Sequence, residues 1–202
     1  MKIIGICGQS GSGKSTFAAL FKKRNIPVLD CDKIYHSLIN SPTPCLDEIE
    51  ERFGKNFTQD GVLDRKALGK IVFNDSDLLK ELNRITHRYV LDELLKYITQ
   101  FKSESKVACV IDAPMLFEAG LEKWCDVVCC VVASKERQMD RICRRDHITK
   151  KEAEIRISNQ MESDDLLRKC TVVVYNNGDI SELDRKCNQI LNQLNLLHEG
   201  DN

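Results

Sequence analysis

Five short apolar runs interrupt a chain whose other apolar residues recur every three or four positions: KIIGIC (2–7), PVLD (27–30), VACVID (107–112), VVCCVV (127–132) and TVVVY (171–175). Each run is shorter than an ordinary helix and lacks polar alternation, which predicts strands buried on both faces of a parallel sheet. Between them the spacing is helical. From Lys14, KSTFAALFKKR sets Phe17, Leu20 and Phe21 on one face and Lys22, Lys23 and Arg24 in the last turns, where cations suit the helix dipole. Strands alternating with helices predict an α/β fold with a five-stranded, mainly parallel sheet. The order of the strands is not readable from their spacing.

The interval from Cys31 to Lys106 is too long for one crossover. Its patterns predict several helices: DKIYHSLI, CLDEIEERF, DRKALGKIVF and a longer one within Ser76 to Phe101, punctuated by Pro42, Pro44, Gly54 and Gly61. An inserted helical lobe over 31–106, at the C-terminal edge of the sheet where open α/β folds bind ligands, is the expected organisation. It either walls in a second substrate or only enlarges the core. A further helical stretch, 134–160, predicts a lid: Ser134 can cap one helix, and Thr149 with Glu152 makes a T-x-x-E capping box for the next. Segments 1–30, 107–133 and 161–202 remain as a nucleotide-binding core.

The chemistry concentrates after the first run. GQSGSGKS, Gly8 to Ser15, fits G-x-x-x-x-G-K-[ST] and lies between a predicted strand and a predicted helix. A backbone that wraps a phosphate must turn its N–H groups inward, which glycine does without a Cβ clash. The helix N-terminus then points at the anion. In such a loop Lys14 reaches the outer phosphates of a nucleotide and the Ser15 hydroxyl holds Mg²⁺. Arg137, Arg141, Arg144 and Arg145 crowd the lid. Arg141 and Arg145 share a helix face and either neutralise phosphate charge or form a solvated face.

Three acidic or basic residues carry alternatives. Asp32, in LDCDKIYH, is a candidate general base for an acceptor hydroxyl or the N-cap of the helix that follows. Asp112 ends the third run and either supports the magnesium, through water or by fixing Ser15 or Lys14, or is structural. His87 in NRITHRYV either faces an acceptor or packs.

Composition narrows the partners. Lys and Arg total 30 against 31 for Asp and Glu, so no global basic field favours nucleic acid or membrane. No apolar run reaches membrane-spanning length, and no leader precedes the first strand. The ten cysteines are scattered, without a C-x-x-C pair, and four sit in predicted strands. They read as reduced thiols in a cytoplasmic protein rather than as disulfides or a zinc site.

GICGQSGSGKST, VLDCDKIYH, ERFGKNFTQDGVLDRKALGKIVFND, NRITHRYV, DAPMLFEAGLEKWCD, RICRRDHITKKEAEIRISNQ and VVVYNNGD together resemble the dephospho-CoA kinase family, across nearly all of residues 2–195. The resemblance implies a sheet of the P-loop nucleoside triphosphate hydrolase type with an inserted helical substrate lobe and a helical lid. It implies transfer of the ATP γ-phosphoryl group to the ribose 3′-hydroxyl of dephospho-CoA by a monomer or weak homo-oligomer. By position, Gly11, Ser12, Gly13, Lys14, Ser15 and Thr16 are implied at the ATP phosphates, Asp32 as the base, Arg141 and Arg145 as lid residues, and Asn176, Asn177 and Gly178 as neighbours of adenine. Arg65, His87, Pro114 and Phe117 would border the acceptor. Two positions depart from the family pattern: Arg88 where a proline is common, and Cys31 where a small residue is. The loop and lid alone would also serve another small-metabolite kinase or a nucleotide-dependent switch; the absence of an N-K-x-D guanine reader argues against a GTP switch.

Overall fold

A computed structural model describes residues 1–158, 160 and 163–196. Asn159 of the predicted lid, and 161–162 and 197–202 of the predicted core, lie outside the described residues. The elements in chain order are β1 (Lys2–Cys7), α1 (Lys14–Lys23), β2 (Val28–Asp30), α2 (Cys31–Ile39), α3 (Pro44–Phe53), β3 (Thr58–Gln59), β4 (Val62–Leu63), α4 (Arg65–Val72) and α5 (Ser76–Ser103). There follow β5 (Ala108–Asp112), β6 (Val127–Val132), α6 (Lys135–Asp146), α7 (Lys150–Ser158), α8 (Ser163–Lys169), β7 (Val172–Tyr175) and α9 (Ile180–Gln193). Contacts divide the chain into two compact units: Met1–Leu29 with Phe101–Asn202, and Asp30–Gln100.

All five apolar runs become strands of one parallel sheet, in the order β2-β5-β1-β6-β7. Central β1 pairs with β5 (Ile6 opposite Asp112) and with β6 (Cys7 opposite Cys130). Strand alternation sends Ile4 and Ile6 of β1, Val110 of β5 and Cys129 and Val131 of β6 to one face. There they meet Phe17 and Phe21 of α1 and Leu183, Cys187 and Ile190 of α9. The two phenylalanine rings pack edge-on with centroids 5.2 Å apart, the arrangement the ring quadrupole favours. Arg24, at the end of α1, clasps both oxygens of Asp184 at 2.9 Å.

The Asp30–Gln100 unit is helical apart from one hairpin. Leu38, Ile39, Cys45, Leu46, Ile49, Leu68, Val72, Ile85 and Leu94 are all buried. Each helix start has a local cause. Thr43 accepts from the Leu46 N–H, with Pro44 at the first helical position of α3, and Asp64 accepts from the Lys66 and Ala67 N–H groups at the head of α4. The β3–β4 hairpin turns at Asp60 and Gly61, both with positive φ (53° and 75°). The Asp-Gly pair is the sequence signal for such a turn, and the hairpin stands where the sequence reading expected only a break between two helices.

One local expectation is corrected here. Asp32 does not cap α2. The strand stops at Asp30, whose carboxylate accepts from the Lys33 N–H at 3.0 Å as the N-cap. Helix geometry begins at Cys31, which places Asp32 inside the first turn of α2. Of two acids flanking a helix start, the one in extended conformation can fold back on the N–H two or three residues on.

Candidate active site

The loop after β1 is held by its glycines and by distant side chains. Gly11 (φ 75°) and Gly13 (φ 98°) occupy left-handed backbone, where a β-carbon is strained. A Cβ on Gly11 would also lie 2.6 Å from the Gln138 carbonyl, and one on Gly13 would lie 1.9 Å from the Asn176 amide. The loop thus fits tightly under α6 and the turn after β7, and no residue with a side chain fits at either position.

Arg141 is the central strut. Its guanidinium donates to the Gly11 and Ser12 carbonyls at 3.1 and 3.2 Å and to the Asn176 carbonyl at 3.2 Å. Burial, with Arg137 nearby, pulls it below the ordinary arginine value, but an arginine remains cationic in this range. The Asn176 side chain donates to the Ser12 carbonyl at 2.7 Å, and the Asn177 side chain accepts from the Ser134 N–H at 2.8 Å. These donors tie down the Gly11 and Ser12 carbonyls, and the N–H groups in the first turn of α1, which begins at Lys14, have no intrahelical partners, the polarity an anion requires. Ser12 is fully buried, and its hydroxyl has no hydrogen-bond partner among the described residues.

Lys14 opens α1, and its ammonium rests on the Gly8 and Gln9 carbonyls at 2.8 and 3.2 Å. Beside it a cavity of about 200 Å³ is lined by Gly13, Thr16, Arg141, Asn176, Gly178 and Ile180, among others. Gly13, Thr16, Arg141, Asn176 and Gly178 were expected at phosphates or, by resemblance, at adenine, and they gather around this one hollow. Asp112 ends β5 opposite Ile6 of β1 and is 7% exposed, so it stands at the sheet edge from which the loop departs.

Arg145 goes elsewhere. Its Nε and Nη2 grip the two oxygens of the adjacent Asp146 at 2.7 and 2.9 Å, and Arg156 of α7 joins the same carboxylate. Of the two arginines on one helix face, therefore, Arg141 meets the loop and Arg145 pins the α6–α7 corner. Ser134 and the Thr149–Glu152 box cap α6 and α7 as the sequence predicted. The Arg145 hydrogen bond and charge, helped by Arg156, hold the Asp146 carboxyl below the usual range. Such a carboxylate stabilises the fold above its unfolded value of about 3.9, and the contribution is lost as pH falls through the lower folded value. Asp146→Asn should therefore lower the melting temperature at pH 7, and its gap from the parent should close below about pH 4. A gap constant from pH 7 to 3 would refute the pairing.

In the helical unit, Asp32 is exposed in the first turn of α2, and no hydrogen bond or ion pair engages it among the described residues. Arg65, at the head of α4, lies over the Tyr35 ring at 5.6 Å, with Nη1 3.2 Å from His36 Nε2. It has no carboxylate partner among the described residues. Sequence reading missed Tyr35 and His36 as its neighbours because they stand a helix apart in the chain. His87 is half-buried on α5. Arg88 is bound to Glu48, which also accepts from the Tyr89 hydroxyl at 3.0 Å, so its charge is matched within the unit. In the sheet unit, Pro114 is half-buried and Phe117 lies under the Lys169 ammonium at 5.7 Å. Two glutamines also escaped notice: Gln138, whose backbone abuts Gly11, and Gln160, which accepts from the Ser10 N–H at 2.7 Å.

No described helix is long and apolar enough to cross a membrane, and all ten cysteines are unbridged. The donors at the loop are hard oxygens, the Ser15 hydroxyl and the Asp112 carboxylate. They fit a magnesium ion, which takes few protein ligands beside substrate phosphates.

Comparison with known proteins bears on this arrangement. The family described as CoaE, dephospho-CoA kinase, matches residues 2–182. A dephospho-CoA kinase of Lactobacillus johnsonii is 36% identical over 192 residues, 95% of this chain and 97% of that protein. The crystal structure of TT1252 from Thermus thermophilus superposes with a TM-score of 0.82 at 30% identity, covering 96% of this chain and 97% of that one. The dephospho-CoA kinase from Campylobacter jejuni gives 0.70 at 26% identity, covering 96% and 98%.

Proposed function

The chain belongs to the dephospho-CoA kinase family, and from that premise we propose how its residues divide the work. The reaction is transfer of the ATP γ-phosphoryl group to the ribose hydroxyl of dephospho-CoA, the final step of CoA biosynthesis. ATP is the co-substrate. Phosphoryl transfer asks a protein for positioning and charge neutralisation more than for covalent chemistry.

On this reading, the N–H groups of Gly11 to Thr16 hold the β- and γ-phosphates, Lys14 leaves its loop carbonyls for them, and Arg141 keeps the loop in its binding shape. Asn176, Asn177 and Gly178 border the adenine. Ser15 and Asp112 would hold Mg²⁺, which when bound neutralises phosphate charge. Asp32 orients the 3′-hydroxyl and takes its proton as the new P–O bond forms. Arg65 binds an anionic group of the acceptor, with the Tyr35 ring and His36 fixing its guanidinium; His87, Pro114 and Phe117 serve the same substrate. Residues 31–106 act as the acceptor lobe and 134–160 as a lid on the core made by 1–30, 107–133 and 161–202, with Arg145 setting the lid's corner. The enzyme works in the cytoplasm as a monomer or weak homo-oligomer, with neither nucleic acid nor membrane as partner.

The observation that carries the nucleotide part is the loop itself: left-handed glycines, carbonyls bound by Arg141 and Asn176, and a helix that begins directly at Lys14. The test is an ATP-coupled assay on dephospho-CoA, with the new phosphate located on the product. Phosphate at the ribose 3′ position is expected. Faster turnover of uridine, adenosine or shikimate would overturn the acceptor assignment.

Arg65→Ala tests the acceptor site separately. Loss of one charged hydrogen-bonding group should raise KM for dephospho-CoA by roughly 10- to 100-fold, with KM for ATP unchanged. An equal rise in both would remove Arg65 from the acceptor site.

A further inference from the structure

Beneath the phosphate loop lies a chain of three thiols that the phosphotransfer chemistry does not use. Cys7 is the last residue of β1, and its partner across the sheet is Cys130 of β6. Ile6 and Cys129 face the core under α1 and α9, so alternation turns Cys7 and Cys130 together to the opposite face. Both are fully buried. Paired strands lie about 4.8 Å apart, inside the Cα spacing a disulfide tolerates, and the two thiols are hydrogen-bonded.

The third member is Cys170, in the turn between α8 and β7. It is half-buried, donates to the Leu167 carbonyl at 3.4 Å, and its thiol also meets that of Cys130. The contacts thus run from a half-buried residue, through Cys130, to the residue that precedes Gly8. The remaining half-buried thiols stand apart from this chain. Cys125 donates to the Leu121 carbonyl, and Cys143 packs against the small core of α6 and α7.

We propose that Cys130 and Cys170 are a modification site at which a peroxide makes a disulfide, and that this bond weakens ATP binding at the loop. Cys170 receives the oxidant because Cys7 and Cys130 are closed to solvent. Its thiolate attacks one peroxide oxygen; the S–O bond forms, the O–O bond breaks, and one water leaves. Cys130 then attacks the sulfenic sulfur; the S–S bond forms, the S–O bond breaks, and a second water leaves. Two thiols are oxidised and one peroxide is reduced to two waters, which carry off both thiol protons.

The surroundings fit each sulfur to its step. The Cys7 hydrogen bond holds the Cys130 thiol below its usual value, with the Lys14 ammonium acting in the same direction. That favours the thiolate that must attack. Burial and the neighbouring Cys130 hold Cys170 higher, so its first step is slow and the site answers to sustained oxidant. The consequence at the loop follows from position. Cys130 is the lateral neighbour of Cys7, and drawing it toward α8 removes the hydrogen bond that seats the strand end from which Gly8 departs.

The test treats the full chain with hydrogen peroxide, alkylates the remaining thiols and maps peptides without reduction, while ATP binding is measured directly. A linked pair of Cys130 and Cys170 is expected, assigned by fragmentation to separate Cys130 from Cys129. ATP affinity should fall about fivefold or more, at the lower end of measured site-to-site couplings, and recover with dithiothreitol. Cys170→Ser keeps a donor for Leu167; it should form no linked peptide and hold its affinity through the same treatment. Linkage confined to other cysteines, a linked enzyme with unchanged affinity, or a serine variant that loses affinity as fast as the parent would each overturn the proposal. None of these readouts involves the acceptor, so they stand apart from the choice of dephospho-CoA as substrate.

Discussion

Lys14→Ala is expected to lower kcat for phosphoryl transfer by roughly 10³-fold, at the upper end of what removal of a single charge-stabilising donor costs. The reason is where the charge sits. In the transition state negative charge spreads over the equatorial oxygens of the transferring group, and Lys14 is the loop residue whose ammonium can move to meet it. Its contacts with the Gly8 and Gln9 carbonyls are with its own loop, so the alanine variant should keep the sheet and a similar melting temperature. Lys14→Arg should not restore the rate, because a forked guanidinium does not fit a cradle that closes around a compact ammonium. The check is single-turnover transfer from ATP beside a thermal melt. Near-normal turnover in a folded alanine variant would remove the loop from the mechanism.

Asp32→Asn should reduce kcat by roughly 10²- to 10⁴-fold, the range for loss of a positioned general base. Asparagine keeps the shape and can still orient a hydroxyl, but it cannot take the proton. The correction at the head of α2 makes this a clean experiment. Because Asp30 holds the N-cap, Asp32 is free of the structural duty that would have confounded its replacement. It is exposed in the first helical turn, so the stability change should be limited to about 0.3–1 kcal/mol of lost dipole interaction. Asp30→Ala should show the reverse pattern, losing about 1 kcal/mol of stability with its cap. ATP affinity should be unchanged in Asp32→Asn. If the rate is also unchanged, the proton goes elsewhere.

Much of this was open to reading before any coordinates, and particular residues show why. The five strands, α1 and the capping box at Thr149 rest on signals a few residues long, set by side-chain periodicity and by backbone groups seeking partners nearby. The phosphate loop is legible for the same reason, since its glycines, lysine and serine must be consecutive to wrap one anion. Other placements needed the fold. Helical spacing placed Arg141 and Arg145 together, and Asp146, which also binds Arg156, pairs with the second. Two aspartates bracketed a helix start, and only backbone conformation chose Asp30 as its cap. Tyr35 and His36 come to Arg65 from another helix.

The sequence by itself determined the five strands of the main sheet, helix α1, the phosphate-binding loop motif and which family the chain resembles, because each is written in local period or in consecutive residues. Tertiary structure alone decided the strand order β2-β5-β1-β6-β7, the closing of Gln138 and Asn176 onto the loop glycines, and the alignment of Cys7, Cys130 and Cys170. Those depend on which segments pack side by side. Packing energy is a sum over residues far apart in the chain, and no short window of the sequence carries it.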